Sequence, residues 1–415
     1  MNNNIPSITI QQAEELLYRF YKVKKETGTS HVLNLIGNPG TGKTSIVEKH
    51  AQNLMDRGEE KDVTVLSYRL NQVDPTDLKG VPVYEKLPNG LQTCSFAPPR
   101  VFPIANQPDS GNSNFNIMFL DEFNQAPQTI QNLGANIIDG KVGDHNIDIN
   151  RSQIVLAGNT IESLAAVFDV PANLKTRILS FRLVADFNSW KPWALDKQIH
   201  PAIIGYLEQM RDSFENLPTQ ADTDDFASSP NPRTWHKLSD YIRVNEGTYG
   251  SKETEILDIK VTQAYLGMKV GSAFYQFFQL LQASFNITDI VEGKQCGFNK
   301  YENKDMVYSI LYELSYRLRN IADNAHQAKL SKGDDAIHLL DYLTPNDIGM
   351  IENISRWVKD DKIEKSLKLT LTRGLTSRES YRQLKTTSLL DDKNRFTEFT
   401  SLSNLMDIAL ARASK

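Results

Sequence analysis

Gly37-Asn38-Pro39-Gly40-Thr41-Gly42-Lys43-Thr44 has the spacing GxxxxGK(S/T). Its chemistry is anion capture. The glycines let several backbone N–H groups turn toward one point, and the lysine that follows them brings a mobile positive charge. The hydroxyl of Thr44 can hold a divalent cation at the same place. The flanks are as informative as the motif. His31-Val32-Leu33-Asn34-Leu35-Ile36 is apolar and strand-like, and Ser45-Ile46-Val47-Glu48-Lys49-His50-Ala51 suits a helix, whose first turn presents the positive end of its dipole. Gly37, Asn38, Pro39, Gly40, Thr41, Gly42, Lys43, Thr44 and Ser45 are therefore candidate phosphate ligands. The bland alternative, a glycine-rich turn beside a lysine, does not explain a strand before and a helix after.

A second chemical feature ends the apolar run Ile117-Met118-Phe119-Leu120, where Asp121 and Glu122 stand side by side. A triphosphate on the glycine loop would need one carboxylate for the water shell of Mg²⁺ and a second to orient and deprotonate an attacking water. Asp121, with Thr44, takes the metal role and Glu122 the water. Both are expected to face the phosphate loop from a neighbouring strand. Asn159 follows another apolar run, 153–157, and Gly158. It could hold the lytic water in line; an ordinary turn asparagine fits the spacing equally well. Arg177 and Arg233 could each spread the charge of a transferred phosphoryl group, a task suited to a planar guanidinium. Their positions alone do not separate them from solvated arginines. Asn299-Lys300-Tyr301-Glu302 is a poor guanine-binding sequence, with Glu where Asp is needed, and the histidines and cysteines lack zinc-ligand spacing.

The chain that must position these groups has 415 residues, enough for two or three domains. It is 40% hydrophobic and 23% charged, with a formal net charge of −5. That balance argues against a globally basic nucleic-acid footprint. Two cysteines, Cys94 and Cys296, give no disulfide framework and point to a reducing, cytoplasmic setting. No apolar run is long enough to span a bilayer, and the N-terminus lacks the charged and apolar regions of a signal peptide.

Periodicity predicts a helix over 10–26, then strands at 31–36, 63–68, 117–120, 153–157 and 178–184, with helices after the glycine loop and over 126–138. Apolar strands alternating with helices predict an α/β core, a parallel sheet covered on both faces. Residues 71–114 read as mostly irregular apart from a hairpin turn at 87–91, and 140–144 reads as a second hairpin. From 186 onward the pattern is helical, near 201–215, 232–244, 254–285, 305–322, 346–359 and 376–412, with a loop over 217–232. Gly267 and Gly271, four apart, would allow close helix approach.

The order of phosphate loop, Asp121-Glu122, Asn159, Arg177 and Arg233 resembles the AAA+ ATPases. The nearer likeness is to the MoxR-like and dynein-related branch of bacteria and their phages. It is carried by residues 38–44, 77–82, 119–127, 139–143, 157–159, 171–177 and 230–235, and spans about 5 to 285. The resemblance implies a P-loop NTPase (AAA+) core over 1–190, a helical lid over 191–290 and a further helical C-terminal domain over 291–415 for docking or oligomerisation. It implies ATP and Mg²⁺ as ligands, with Asn159 as sensor 1, Arg177 as the finger reaching a neighbour's nucleotide, and Arg233 as sensor 2 on the lid. Hairpins over 84–101 and 139–148 would meet partners. Gln125 and Ile178 depart from the family pattern, and Arg182 is close enough to compete with Arg177. A trans finger suits head-to-tail rings; the family implies a hexamer that remodels a client protein, in some relatives beside a von Willebrand A-domain protein. Two other readings remain open: a nucleotide-gated scaffold with negligible turnover, and a nucleic-acid motor, against which the acidic balance argues.

Overall fold

A computed structural model describes residues 5–160, 168–216, 227–284, 287–294, 304–331, 342–359 and 399. Two compact units divide the chain, the first running to Ser189 and the second beginning at Trp190.

In chain order the first unit contains β1 (Ser7–Ile8), α1 (Ile10–Thr27), β2 (Val32–Ile36), α2 (Lys43–Asp56), β3 (Val63–Arg69), α3 (Pro75–Lys79), β4 (Val81–Lys86) and β5 (Gln92–Ala97). It continues with β6 (Phe115–Asp121), α4 (Gln128–Ile138), β7 (Lys141–Val142), β8 (His145–Asn146), β9 (Ser152–Gly158), α5 (Ala172–Lys175) and β10 (Ile178–Leu183). Six strands pair in parallel in the order β1-β10-β2-β9-β6-β3. Side chains alternate across the sheet. Leu33, Leu35, Ile117, Phe119, Val155 and Ala157 pack with Leu17 of α1 and Val47 and Leu54 of α2. Met118, Leu120 and Leu156 pack on the other face with Ile130 and Ile137 of α4. Burial on both faces is why residues 117–120 of β6 read as an unbroken apolar run rather than an alternating one. Each fully buried Leu or Phe contributes roughly 1.5–3 kcal/mol, so the strand ends that carry the polar residues are firmly held.

Local signals set the helix ends. Thr9 and Gln12 form a reciprocal capping box at the start of α1, and Gly28, at φ 73°, ends it in the left-handed region. The region 71–114 is more ordered than its sequence predicts. Asp74 caps the short α3, and β4 and β5 form an antiparallel hairpin closed by Leu87 N–H to Leu91 O at 2.8 Å. Every residue of β4 is exposed, so no in-and-out alternation marks it as a strand. Cys94, on β5, is free and exposed; Cys296 and residues 299–302 lie outside the described residues.

The second unit is helical. The seam between units falls within α6 (Phe187–Asp196); then come α7 (Pro201–Gln209), α8 (Pro232–Val244), α9 (Glu255–Leu266), α10 (Met268–Ser284), α11 (Ile287–Val291), α12 (Lys304–Ser331) and α13 (Pro345–Lys359). The helix expected over 254–285 is two. Gly267, at φ 77°, breaks it, and Gly271 lets the halves approach, since a Cβ there would lie 2.6 Å from Gln263 Cα. α12 packs against α7: Tyr312 O–H donates to Glu208 at 2.9 Å, and a Cβ on Gly205 would fall 1.9 Å from Ser309 Oγ. The expected lid, 191–290, and the first part of the C-terminal region thus share one compact unit. Apart from residue 399, the helix expected over 376–412 lies outside the described residues, as does most of the loop at 217–232. No helix among the described residues is long and apolar enough to cross a membrane.

Candidate nucleotide-binding site

Parallel pairing aligns the C-terminal ends of β2, β9 and β6, with Ile36 opposite Gly158 and Leu120 opposite Leu156. One polar segment follows each strand. The glycine loop leaves β2, Asn159 leaves β9, and Asp121-Glu122 ends β6. The neighbour relation expected for the two acids is corrected here: β9 lies between β2 and β6, so Asn159, not the acidic pair, stands beside the glycine loop.

The loop is tied to the sheet by Gly37 N–H to Gly158 O at 3.1 Å. A Cβ on Gly37 would stand 3.0 Å from Thr41 Oγ1 and 3.3 Å from Leu183 Cβ, so close packing demands glycine there. At Gly42 the reason differs. Its φ of 92° is left-handed, and a built Cβ would meet nothing within 4 Å. Gly42 also caps α2 without any side-chain hydrogen bond. The first amides of α2 are thus left uncapped at the positive end of the helix, which is the anion-binding arrangement.

Lys43 is buried, and its ammonium donates to Gly37 O at 2.7 Å, Asn38 O at 3.0 Å and Asn159 Oδ1 at 3.0 Å. Asn38 is held further by Thr41 Oγ1 donating to its carbonyl at 2.9 Å and by Thr160 Oγ1 donating to its Oδ1 at 2.6 Å. These contacts to Gly37, Asn38 and Asn159 hold the Lys43 ammonium at the glycine loop, where a bound phosphate would meet it. Thr44 and Ser45 follow on the first turn of α2, Thr44 partly buried and Ser45 exposed.

At the end of β6, Glu122 adopts φ 56°, ψ 33°, one of three non-glycine residues with positive φ among those described. A left-handed glutamate costs about 1–2 kcal/mol, and such strain gathers at functional positions. Asp121 Oδ1 accepts the Glu122 N–H at 2.9 Å, which helps hold this turn. Glu122 Oε2 is buried with no hydrogen-bond partner among the described residues. A buried carboxylate oxygen without a donor fits a group that must receive a proton from water. No set of three His, Cys, Asp or Glu side chains able to hold a metal occurs among the described residues. The Thr44 hydroxyl and the Asp121 carboxylate are hard oxygen donors, which suit Mg²⁺ when waters and phosphate oxygens complete its shell. Asp121 and Thr44 are the residues that fit.

Asn124 was not singled out from the sequence, yet it joins the acids to Asn159. Its Nδ2 donates to Asn159 O at 2.8 Å and its Oδ1 accepts from Asn159 N at 3.0 Å. The available signals were its place two residues past Glu122 and the glycine at 158.

The arginines lie elsewhere. Arg177 immediately precedes β10, whose Ile178 pairs with Val32 at the start of β2. It is therefore at the opposite end of the sheet from its own glycine loop, about 17 Å away along five residues of strand. It is exposed and forms an ion pair with Asp139, at the end of α4. Arg182 is opposite Ile36, at the glycine-loop end. The two competing arginines thus occupy opposite ends of one strand. Arg233 is exposed in the first turn of α8, in the second unit, its N–H bonded to Asn231 Oδ1 at 3.0 Å.

No family model matches the sequence, and no curated protein matches it. Among solved structures the chain is similar to the Thermotoga maritima RuvB Holliday junction branch migration motor, at 15% identity over 80% of this chain and 84% of that one, with a TM-score of 0.29. It is also similar to C. elegans PCH-2, at 13% identity over 66% of this chain and 68% of that one, with a TM-score of 0.29. Likeness at this level carries no chemistry, which rests on the residues gathered at the ends of β2, β9 and β6.

Proposed function

We propose that the chain is a Mg²⁺-dependent ATPase of the AAA+ class, in its MoxR-like branch, forming a head-to-tail ring that remodels a partner protein in the cytoplasm. The observation that carries the reading is the convergence at one sheet end of an uncapped glycine loop, a buried lysine hydrogen-bonded to Asn159, and a strained glutamate with an orphan oxygen. Bound Mg-ATP would supply a reactive anhydride whose charge the metal partly neutralises. The loop amides and Lys43 bind the phosphates, Thr44 and Asp121 hold the metal, Glu122 takes a proton from water at its carboxylate, and Asn159 orients that water. Arg177, at the opposite end of the strands from its own loop, is suited to serve a neighbouring subunit. The sensor role of Arg233 rests on the resemblance carried by residues 230–235.

Steady-state phosphate release tests the reading. Wild-type protein should release phosphate with Mg-ATP, Lys43→Ala should not, and Glu122→Gln should bind ATP without splitting it. A wild-type protein that binds no adenine nucleotide would end the proposal. One that binds but does not turn over would leave the nucleotide-gated scaffold. The client can be sought with Glu122→Gln in ATP, the state expected to retain it.

A further inference from the structure

Asn124 continues the sheet where the strands stop. The last registered pair of β6 and β9 is Leu120 with Leu156. Beyond it, the carboxamide of Asn124 offers a donor and an acceptor side by side and so takes both backbone groups of Asn159, at 2.8 and 3.0 Å, as a strand residue would. The backbone of Asn124 is itself held, its carbonyl accepting from Phe168 N–H at 2.7 Å. Gly158 makes the approach possible, because a Cβ there would stand 2.6 Å from Asn124 Oδ1 and 2.9 Å from its Cγ. Gly158 O in turn receives Gly37 N–H, and Asn159 Oδ1 receives Lys43 Nζ. Since lysine only donates, the oxygen end of Asn159 must face Lys43, which leaves Nδ2 as the end able to donate to a phosphate or a water.

We propose that Asn124 is a positioning residue: it clamps the backbone of Asn159 so that the segment bearing Glu122 and the segment facing the phosphates move as one. This rests on the hydrolytic reading above. With its main chain fixed, Asn159 has only side-chain torsions left with which to choose between Lys43 and a bound phosphate.

A double-mutant cycle in the full-length protein tests the clamp. Asn124→Ala and Asn159→Ala should each lower kcat by about tenfold to a hundredfold, the cost of misplacing a catalytic group by about an ångström. If Asn124 acts through Asn159, the double variant should be no slower than Asn159→Ala alone. Losses that multiply would overturn the inference, and so would an Asn124→Ala protein with wild-type kcat. Thermal unfolding verifies that each variant folds. Should Asn124→Ala fail to fold, Asn124→Asp replaces it in the cycle, since it has the same size, keeps the acceptor for Asn159 N–H and loses the donor. Wild-type protein without turnover would sink the hydrolytic reading and the clamp together. Turnover with multiplicative losses sinks the clamp alone.

Discussion

Glu122 lets strain and chemistry be measured at one position. Its φ of 56° places a side-chain-bearing residue where glycine is at ease. Relief of the left-handed conformation in Glu122→Gly should recover about 1–2 kcal/mol, and the greater freedom of glycine in the unfolded chain should take back about 0.5–1 kcal/mol. The expected net gain is therefore about 1 kcal/mol, or about 3 °C in Tm for a unit of this size. Glu122→Gln keeps the Cβ and the strain and should leave stability near wild type. Both variants lose the carboxylate and should fall by about 10²–10⁴ in kcat, the usual worth of a general base. Urea midpoints at constant slope report the first effect, and phosphate release the second. A Glu122→Gly protein no more stable than Glu122→Gln would refute the strain argument. Wild-type hydrolysis in either variant would refute the assignment of Glu122 as base.

Lys43→Ala should weaken ATP binding by at least about tenfold in a fluorescent-nucleotide titration, since a charge-assisted contact is worth roughly 1.5–3 kcal/mol. Arg177→Ala protein should regain turnover when mixed with Lys43→Ala protein, because each supplies what the other lacks; no rescue at any ratio counts against a finger acting in trans. In the second unit, burial and, secondarily, Arg243 push the His200 imidazole down to about 3 from 6.5. The folded state therefore keeps His200 neutral while the unfolded chain protonates, so stability is full above 6.5 and is lost as pH falls toward 3. The loss at about pH 5.5 should be about 1.4 kcal/mol, and His200→Asn, which retains an acceptor for the Ala202 N–H, should flatten that slope in urea melts taken across the range.

The sequence by itself determined the elements and the chemistry of the nucleotide loop. β2, β6 and β9 are legible because strands buried on both faces are mostly apolar, the Asn34 amide inside β2 donating to Ser180 Oγ at 2.9 Å, and because polar segments follow their ends. The loop is legible because Gly37, Gly42 and Lys43 are dictated by local crowding, φ and charge. α8 is legible from its helical pattern over 232–244, and in the structure Asn231 and Thr234 bond reciprocally on either side of Pro232. Tertiary structure alone decided the order of the strands. Backbone hydrogen bonds between parallel strands are blind to side-chain identity, so nothing in residues 117–122 announces that β9 would lie between them and the glycine loop. The same long-range pairing decides that Arg182, and not Arg177, stands at the glycine-loop end of β10. It also brings Asn124 onto Asn159, a contact between residues 35 positions apart that exists only because β6 and β9 are neighbours.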